Sequence, residues 1–395
     1  MDSFRYPLAT STWDHSEIDA MHGVIDSRQF TMGQRVKQFE NEFAEKFGSR
    51  HGVMSNSGSS ANLLALGAVK YSSRWENSNR KEVIVPAVSW STSYYPVSQM
   101  GYSLKFVDID LETLNSPFSK IQSATNRNTA GILIVNLLGN PAELSKISEF
   151  AKGNNLFLVE DNCESLGAEL DGQKTGTFGD IGTFSSFFSH HISTMEGGMC
   201  LTDNLELGQV MTSLRAHGWT RELPTNNFVY PKTGDKFEDY YRFVLPGYNL
   251  RPLEIEAAIG TQQLQKVDGI VEGRRRNYEK FKLLMGRYPE IKIQEENGKS
   301  SWFGFSMILT ERFEGLRKEF VASLSKHSIE ARPIVAGNFT KNPVLRHLNH
   351  KPLGPLPNAD FLHVNGLFIG NHHYVMEVEF ELLDAAISEF YTTYL

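Results

Sequence analysis

The chain has 395 residues, of which 40% are hydrophobic and 22% are charged, and its formal net charge is −7 at pH 7. This composition is typical of a globular protein large enough for two domains. It lacks the excess of basic residues that nucleic-acid binding requires. The two cysteines, Cys163 and Cys200, exclude a disulfide framework and cannot hold an all-cysteine iron–sulfur cluster, which takes four.

No apolar run approaches the length of a membrane-spanning helix. The first residues also lack the basic segment and apolar core of an export signal. We therefore expect a cytoplasmic protein that neither spans a membrane nor is exported.

The first 30 residues show a helical spacing of apolar side chains followed by Phe30-Thr-Met-Gly33. This segment either packs as an N-terminal arm or contacts a substrate. A second helical pattern runs from Val36 to Phe47 and stops at Gly48, as a helix is expected to stop at a glycine.

A short strand pattern begins at His51 and leads into a turn of small residues and an apolar helix. Gly58 and Ser59 lie in this turn. Unpaired N–H groups and the positive end of the helix dipole suit a phosphate there. The same Ser-Gly-Ser sequence is also a common helix N-cap, so the turn alone leaves both interpretations open.

The next apolar segment, Val83 to Val88, predicts a buried strand with Trp90 just beyond it. Trp90 is either a core residue or a platform on which an aromatic ligand stacks. Further apolar runs near residues 104–110 and 131–141 alternate with helical segments. This alternation predicts a parallel α/β sheet.

Another predicted strand, residues 155–160, places Asp161 at its carboxyl end, where open α/β sheets bind ligands. Glu164 follows three residues later. Ser185 then begins a loop that contains the pair His190 and His191 and a Gly pair. An imidazole exchanges protons near neutral pH, with an unperturbed pKa of about 6.5.

Two later segments mix cationic, aromatic and amide groups. The first runs from Arg215 to Arg221, and its His217 and Arg221 are candidates for contact with a nucleotide sugar. Ordinary surface packing is the alternative for both. The second runs from Leu245 to Gly260 and contains Asn249.

Over nearly its whole length the chain resembles the vitamin-B6-dependent sugar aminotransferases. In that family a Lys forms a Schiff base with pyridoxal phosphate at the position that His190 occupies here. Imidazole cannot form that imine, so the resemblance implies a cofactor held without a covalent bond. With this exchange, the chain is most similar to the sugar 3-dehydratases that use pyridoxamine phosphate.

The resemblance also implies a role for each site residue. His190 is the catalytic base, His217 and Arg221 bind substrate, and no metal is expected. The expected ligands of the cofactor phosphate are Gly58, Ser59 and Ser185. Trp90 would stack on the cofactor ring, Asp161 would contact its nitrogen, and Glu164, where the family usually has Gln, would lie near its oxygen. The family also forms homodimers with shared active sites, in which Asn249 would bind the cofactor phosphate of the partner.

The fold that the resemblance implies is α/β, the fold type I of pyridoxal-phosphate-dependent transferases. It has a large domain with a mainly parallel seven-stranded sheet and a smaller α+β C-terminal domain. We predict an N-terminal arm at residues 1–30, a large cofactor-binding domain at 31–262 and a small domain at 263–395.

The function implied is loss of the C3 hydroxyl from a GDP-linked 4-keto-6-deoxymannose in dideoxysugar (colitose, O-antigen) biosynthesis. L-Glutamate restores pyridoxamine phosphate, and ammonia is released. His190 removes a proton from the cofactor and protonates the leaving hydroxyl. Two alternatives are a dehydratase for a CDP-linked sugar, whose relatives use an iron–sulfur cluster, and a non-catalytic cofactor-binding module.

Overall fold

The computed structural model describes residues 4–76 and 78–395. Its largest sheet has seven strands in the order β1-β9-β8-β5-β4-β2-β3. The strands β8, β5, β4, β2 and β3 pair in parallel, whereas β9 pairs antiparallel with β8 and β1. The strands of this part of the chain are β1 (His51–Ser55), β2 (Glu82–Pro86), β3 (Ser103–Val107), β4 (Thr129–Val135), β5 (Phe157–Asp161), β6 (Glu169–Leu170), β7 (Gln173–Lys174), β8 (Ile181–Ser185) and β9 (Gly198–Thr202).

Helices cover both faces of the sheet because its central strands are apolar on both sides. All seven residues of β4 are buried. Leu133 and Val135 belong to one hydrophobic cluster, and Ile132 and Ile134 belong to another on the opposite face. The helices are α1 (His15–Ser27), α2 (Gln34–Phe47), α3 (Gly58–Tyr71), α4 (Ser91–Gln99), α5 (Phe118–Ala124), α6 (Leu144–Gly153), α7 (Leu205–Arg215), α8 (Lys236–Tyr240), α9 (Glu254–Met285), α10 (Arg317–Lys326), α11 (Pro357–Asn365) and α12 (Glu377–Tyr394).

A second, four-stranded sheet follows in the C-terminal part. Its strands are β10 (Ile291–Lys292), β11 (Gly304–Leu309), β12 (Ala331–Arg332) and β13 (Gly366–Gly370), in the order β10-β11-β13-β12 with antiparallel pairing. A separate aromatic-rich core supports this sheet. The expected pair of a mainly parallel large sheet and a smaller α+β unit is confirmed.

The long helix α9 joins the two parts. It runs unbroken through residue 262, so the predicted limit between large and small domains falls inside a helix and stays a prediction. The arm is anchored to both parts: Lys266 on α9 pairs with Glu17, and the Tyr6 hydroxyl donates to the carbonyl of Gly370 at 2.7 Å.

The helix predicted from residue 36 to residue 47 is confirmed as α2. Gly48 ends it with a left-handed φ of 79°, a conformation that glycine adopts without steric cost. Across the described residues, no helix combines the length and apolar character that a membrane crossing needs.

Candidate active site

The carboxyl ends of the parallel strands open into a cavity of about 500 Å³. Its wall combines residues from the large sheet, the loop after β8 and the small sheet. Seven of the ten predicted site residues line it: Gly58, Ser59, Trp90, Asp161, Glu164, Ser185 and His190. The sequence motifs were far apart in the chain, and the parallel topology brings them together at one edge of the sheet.

The small-residue turn forms the N-terminus of α3. The Ser57 hydroxyl caps the helix by accepting from the Ser60 N–H at 3.1 Å. A Cβ on Gly58 would lie 2.6 Å from the Cβ of Ser185, so only glycine lets the end of β8 approach this turn. The Ser59 hydroxyl donates to Thr92 at 2.8 Å. Hydroxyls and a helix N-terminus therefore converge where a phosphate fits.

Asp161 is held rigidly at the end of β5. Its Oδ2 accepts from Asn62 at 2.8 Å and from the Ser93 hydroxyl at 2.7 Å, and its Oδ1 accepts from the Cys163 N–H at 3.1 Å. The carboxylate is 4% exposed, and its neighbours fix its orientation toward the cavity that it lines. A hydrogen-bonded carboxylate in this position suits a cationic ring nitrogen.

Trp90 lies on the cavity wall between β2 and α4, and it is 59% exposed. The interpretation of Trp90 as a core residue is therefore wrong. The surface that it offers matches the alternative, in which a flat ring stacks on the indole.

His190 sits in a compact loop between β8 and β9. Its backbone N–H donates to the Phe187 carbonyl at 2.9 Å. The centroid of its ring lies 6.0 Å from that of the Phe187 ring and 5.2 Å from that of the Phe303 ring. Its Nδ1 is buried without a hydrogen-bond partner in the described chain.

The expectation that His190 has the ordinary pKa of an imidazole is wrong. Burial, together with the positive charge of Arg274, lowers its pKa to about 4. The imidazole is thus neutral at pH 7 with its lone pair free, although it is a weaker base than ordinary imidazole. Its protonated form is a stronger acid than ordinary imidazolium.

His191 has a different environment from its neighbour. It is fully buried, and its Nε2 donates to the Ser301 carbonyl at 3.0 Å. Burial lowers its pKa well below the ordinary value. This residue joins the loop to the segment before β11 and does not line the cavity.

Glu164 lies on the wall beside Asp161. Its Oε2 accepts from the Leu138 N–H at 2.9 Å. Burial, followed by the negative charge of Asp161, raises its pKa to about 7. A carboxyl group that carries a proton near neutral pH is therefore part of the site.

Asn249, His217 and Arg221 lie outside the lining of this cavity. His217 and Asn249 are close together. Ala216 and Asn249 form an isolated antiparallel β-bridge, and the backbone N–H of His217 donates to the Tyr248 carbonyl at 2.6 Å. The Arg221 guanidinium stacks 4.0 Å from the ring centroids of both Trp219 and Tyr240.

Several lining residues were missed by sequence reasoning. Arg332 is the one Lys or Arg side chain among the described residues that line the cavity, and it pairs with Glu330 at 2.6 Å. Phe303 comes from the segment before β11. No local motif marks either of them as a site residue. Within residues 4–76 and 78–395, no three His, Cys, Asp or Glu side chains group as ligands for a metal ion.

The chain is similar to characterised proteins over nearly its full length. GDP-4-keto-6-deoxy-D-mannose 3-dehydratase of Yersinia pseudotuberculosis is 50% identical over 370 residues, which are 93% of this chain and 94% of the relative. Two crystal structures of GDP-4-keto-6-deoxymannose-3-dehydratase, one a mutant with bound GDP-perosamine and one with a trapped PLP-glutamate geminal diamine, each match with a TM-score of 0.94 and 47% identity. Each match covers 97% of this chain and 100% of the chain in the crystal structure.

A family model also matches residues 11–381, which include both sheets and every residue of the cavity wall except Leu8. This match and the 50% identity agree with the resemblance of the motifs. The chain belongs to the DegT/DnrJ/EryC1/StrS aminotransferase family.

Proposed function

We propose that the chain is a pyridoxamine-phosphate-dependent lyase that removes the C3 hydroxyl of GDP-4-keto-6-deoxy-D-mannose. The observation that carries the proposal is His190: a proton-transfer residue occupies the lysine position inside an otherwise complete cofactor cavity. The names and bound groups of the similar proteins support the same substrate and cofactor.

The residues of the cavity fit the cofactor. The N-terminus of α3 and the hydroxyls of Ser59 and Ser185 would hold its phosphate, and Trp90 would cover its ring. Asp161 would meet the ring nitrogen and keep it protonated. His190 lines the same cavity, and the Nδ1 of its ring is buried without a hydrogen-bond partner in the described chain. When bound, pyridoxamine phosphate supplies an amine for the C4 ketone and a ring that takes up an electron pair.

His190 then moves protons. As a neutral imidazole, it would accept the proton released from the carbon next to the cofactor nitrogen, while Asp161 would keep the ring protonated. The bound cofactor would supply the conjugated path by which that electron pair expels the C3 hydroxyl. The imidazolium so formed is acidic, because burial lowers its pKa to about 4, and it protonates the departing C3 hydroxyl. One residue thus serves first as base and then as acid.

The amino donor uses the same residues in a second half-reaction. L-Glutamate would restore the amine form of the cofactor, with His190 again carrying the proton between carbon atoms. The nitrogen that the sugar receives from the cofactor amine would leave as ammonia when water restores the C4 ketone. The glutamate adduct in a structure similar to this chain supports glutamate as the donor.

The proposal is tested by incubating the protein with GDP-4-keto-6-deoxy-D-mannose, pyridoxal phosphate and glutamate. Mass spectrometry follows the sugar, and free ammonia and 2-oxoglutarate are assayed. We expect a sugar that is one oxygen lighter, together with ammonia and 2-oxoglutarate. An amino sugar without ammonia would instead mean aminotransfer. Turnover of only a CDP-linked counterpart would reject the GDP sugar, and inertness of the cofactor toward glutamate would favour a binding module.

The active site also depends on a second copy of the chain. Asn249 is exposed and lies outside its own cavity. The segment before it in the chain carries six aromatic residues that are 47% to 88% exposed: Phe228, Tyr230, Phe237, Tyr240, Tyr241 and Phe243. The rings of Tyr240, Tyr241 and Phe243 pack on one another. An exposed aromatic patch of this kind marks a protein interface. A homodimer that buries this patch would let Asn249, His217 and Arg221 reach the cavity of the partner.

Mixing two defective variants tests the shared site. We expect His190→Asn and Asn249→Asp each to have little activity, the latter because a carboxylate would repel the cofactor phosphate. After the subunits are exchanged, a hybrid dimer has one intact site, so the mixture should recover about a quarter of wild-type activity. Activity that stays at the sum of the two variants would show that each chain builds its site alone.

Glu164 predicts a pH dependence above neutrality. Its raised pKa, about 7, means that it carries a proton below that pH and loses it as pH rises, which places a second charge near Asp161. We expect kcat/KM for the sugar to fall as pH rises through about 7 in the wild type. Glu164→Gln keeps a hydrogen-bond donor, since its amide N–H replaces the carboxyl O–H, and it cannot ionise, so its profile should stay flat there. The same decline in this variant would assign the transition to another group.

A further inference from the structure

Arg274 is a buried cation on the helix that joins the two parts of the chain. Arg274, on α9, is 5% exposed, and its Nη1 donates to the Phe303 carbonyl at 2.9 Å. Within the described part of the chain, no Asp or Glu forms an ion pair with it at 4.0 Å or less. Burial lowers its pKa to about 10. An unpaired charge is costly to bury, so its retention in this position indicates a specific role.

Arg274 is connected to His190 through Phe303. The Phe303 N–H donates to the Leu138 carbonyl at 2.9 Å, and the Leu138 N–H donates in turn to Glu164. The backbone of Phe303 is therefore fixed at its N–H by the large domain and at its carbonyl by Arg274. Its ring lies 5.2 Å from the His190 ring.

The residue before Phe303 shows that the segment is held under strain. Trp302 has a left-handed φ of 46°, which is unfavourable for a bulky side chain. Stacking on Tyr278, with ring centroids 3.4 Å apart, and a 2.9 Å hydrogen bond from Asn371 to its carbonyl hold it there. This conformation directs the chain so that Phe303 reaches the cavity wall.

His190 itself lacks the hydrogen bond that usually orients a catalytic imidazole, because its Nδ1 has no partner in the described chain. Its ring is instead packed between Phe187 and Phe303. We propose that Arg274 is a positioning residue that acts through Phe303 to hold the His190 ring in place for proton transfer. This inference rests on the proposed role of His190 as the base.

The charge of Arg274 has a second effect on His190. Positive charge from α9 disfavours the imidazolium, and Arg274 is the charged group that most lowers its pKa. The other ionisable groups that adjoin His190 or share its cavity are His191, which follows it in the loop, and, on the cavity wall, Asp161, Cys163, Glu164, Glu196 and Arg332. Arg274 thus favours the neutral form of the base.

The experiment compares Arg274→Met, Phe303→Leu and a matched control, Arg275→Met, in the full-length holoenzyme. Arg275 is the neighbouring arginine on α9 and also donates to backbone carbonyls, those of Ser300 and Gly167, but it does not contact Phe303. Proton transfer is followed in single turnovers of the bound cofactor with glutamate, which need no sugar. Histidine NMR follows the titration of His190, which is assigned by its loss in His190→Asn.

We expect Arg274→Met and Phe303→Leu to slow proton transfer by about 10²-fold, the effect of misplacing a catalytic group by about 1 Å, with little change in the KM for glutamate. In Arg274→Met, the His190 titration should also move to higher pH, whereas in Phe303→Leu it should stay near its wild-type position. Arg275→Met should leave both measurements unchanged.

The proposal is overturned if Arg274→Met slows proton transfer no more than Arg275→Met, or if it raises KM without slowing the reaction. If Arg274→Met fails to fold, Phe303→Leu decides alone, and a normal rate in that variant overturns the proposal. Failure of the proposed function is recognised separately, in the wild type, which would then fail to dehydrate the sugar whether or not it turned over glutamate.

Discussion

Replacing His190 by Asn is expected to lower the dehydration rate by about 10²- to 10⁴-fold, the usual contribution of a positioned acid or base. Asn has a similar size and polarity but cannot accept a proton at neutral pH. Cofactor binding should persist, because the phosphate turn and Asp161 are unchanged. The measurement is the single-turnover rate of sugar dehydration by enzyme preloaded with pyridoxamine phosphate.

His190→Lys is a second test of the role of His190. A primary amine in the same loop can bind pyridoxal phosphate covalently, which the imidazole cannot do. We expect an absorption change that marks the covalent bond, together with impaired dehydration. His22→Asn, an exposed histidine on α1, is the control and should behave as wild type. Full dehydration by His190→Lys would contradict the proposed role of His190.

Asp161→Asn is expected to lower the rate of both half-reactions by about 10²- to 10³-fold, the scale of losing one preorganised electrostatic contact. The amide cannot keep the ring nitrogen protonated, so the ring loses its capacity to take up the electron pair. The amide also disturbs the hydrogen bonds donated by Asn62 and Ser93. The single-turnover rates with sugar and with glutamate, measured separately, test this prediction.

Asp108→Asn separates the electrostatic effect from a loss of stability. Asp108 is also a buried carboxylate just after a parallel strand, where it accepts from the N–H groups of Asn358 and Ala359. It does not line the cavity. We expect a comparable loss of thermal stability but normal rates. Equal losses of rate in the two variants would mean that Asp161 acts only through the fold.

Local sequence determined the elements that carry the cofactor motifs. A helix, a turn or a strand end depends on residues close together in the chain, so Gly58 at the start of α3 and Asp161 at the end of β5 were predictable. The same reasoning placed His190 in the loop after β8. Resemblance to a family then supplied the roles, because turn chemistry alone left both the phosphate site and the N-cap open.

Only the tertiary structure decided which groups surround these residues and how they titrate. Phe303, held by Arg274 on α9, reaches His190 from more than 80 residues away in the chain, from a segment just before a strand whose pattern describes packing and not chemistry. The pKa of His190 falls and that of Glu164 rises because folding removes both from water and sets a charge beside each. Desolvation and long-range charge are properties of the assembled interior, so neighbouring sequence does not encode them.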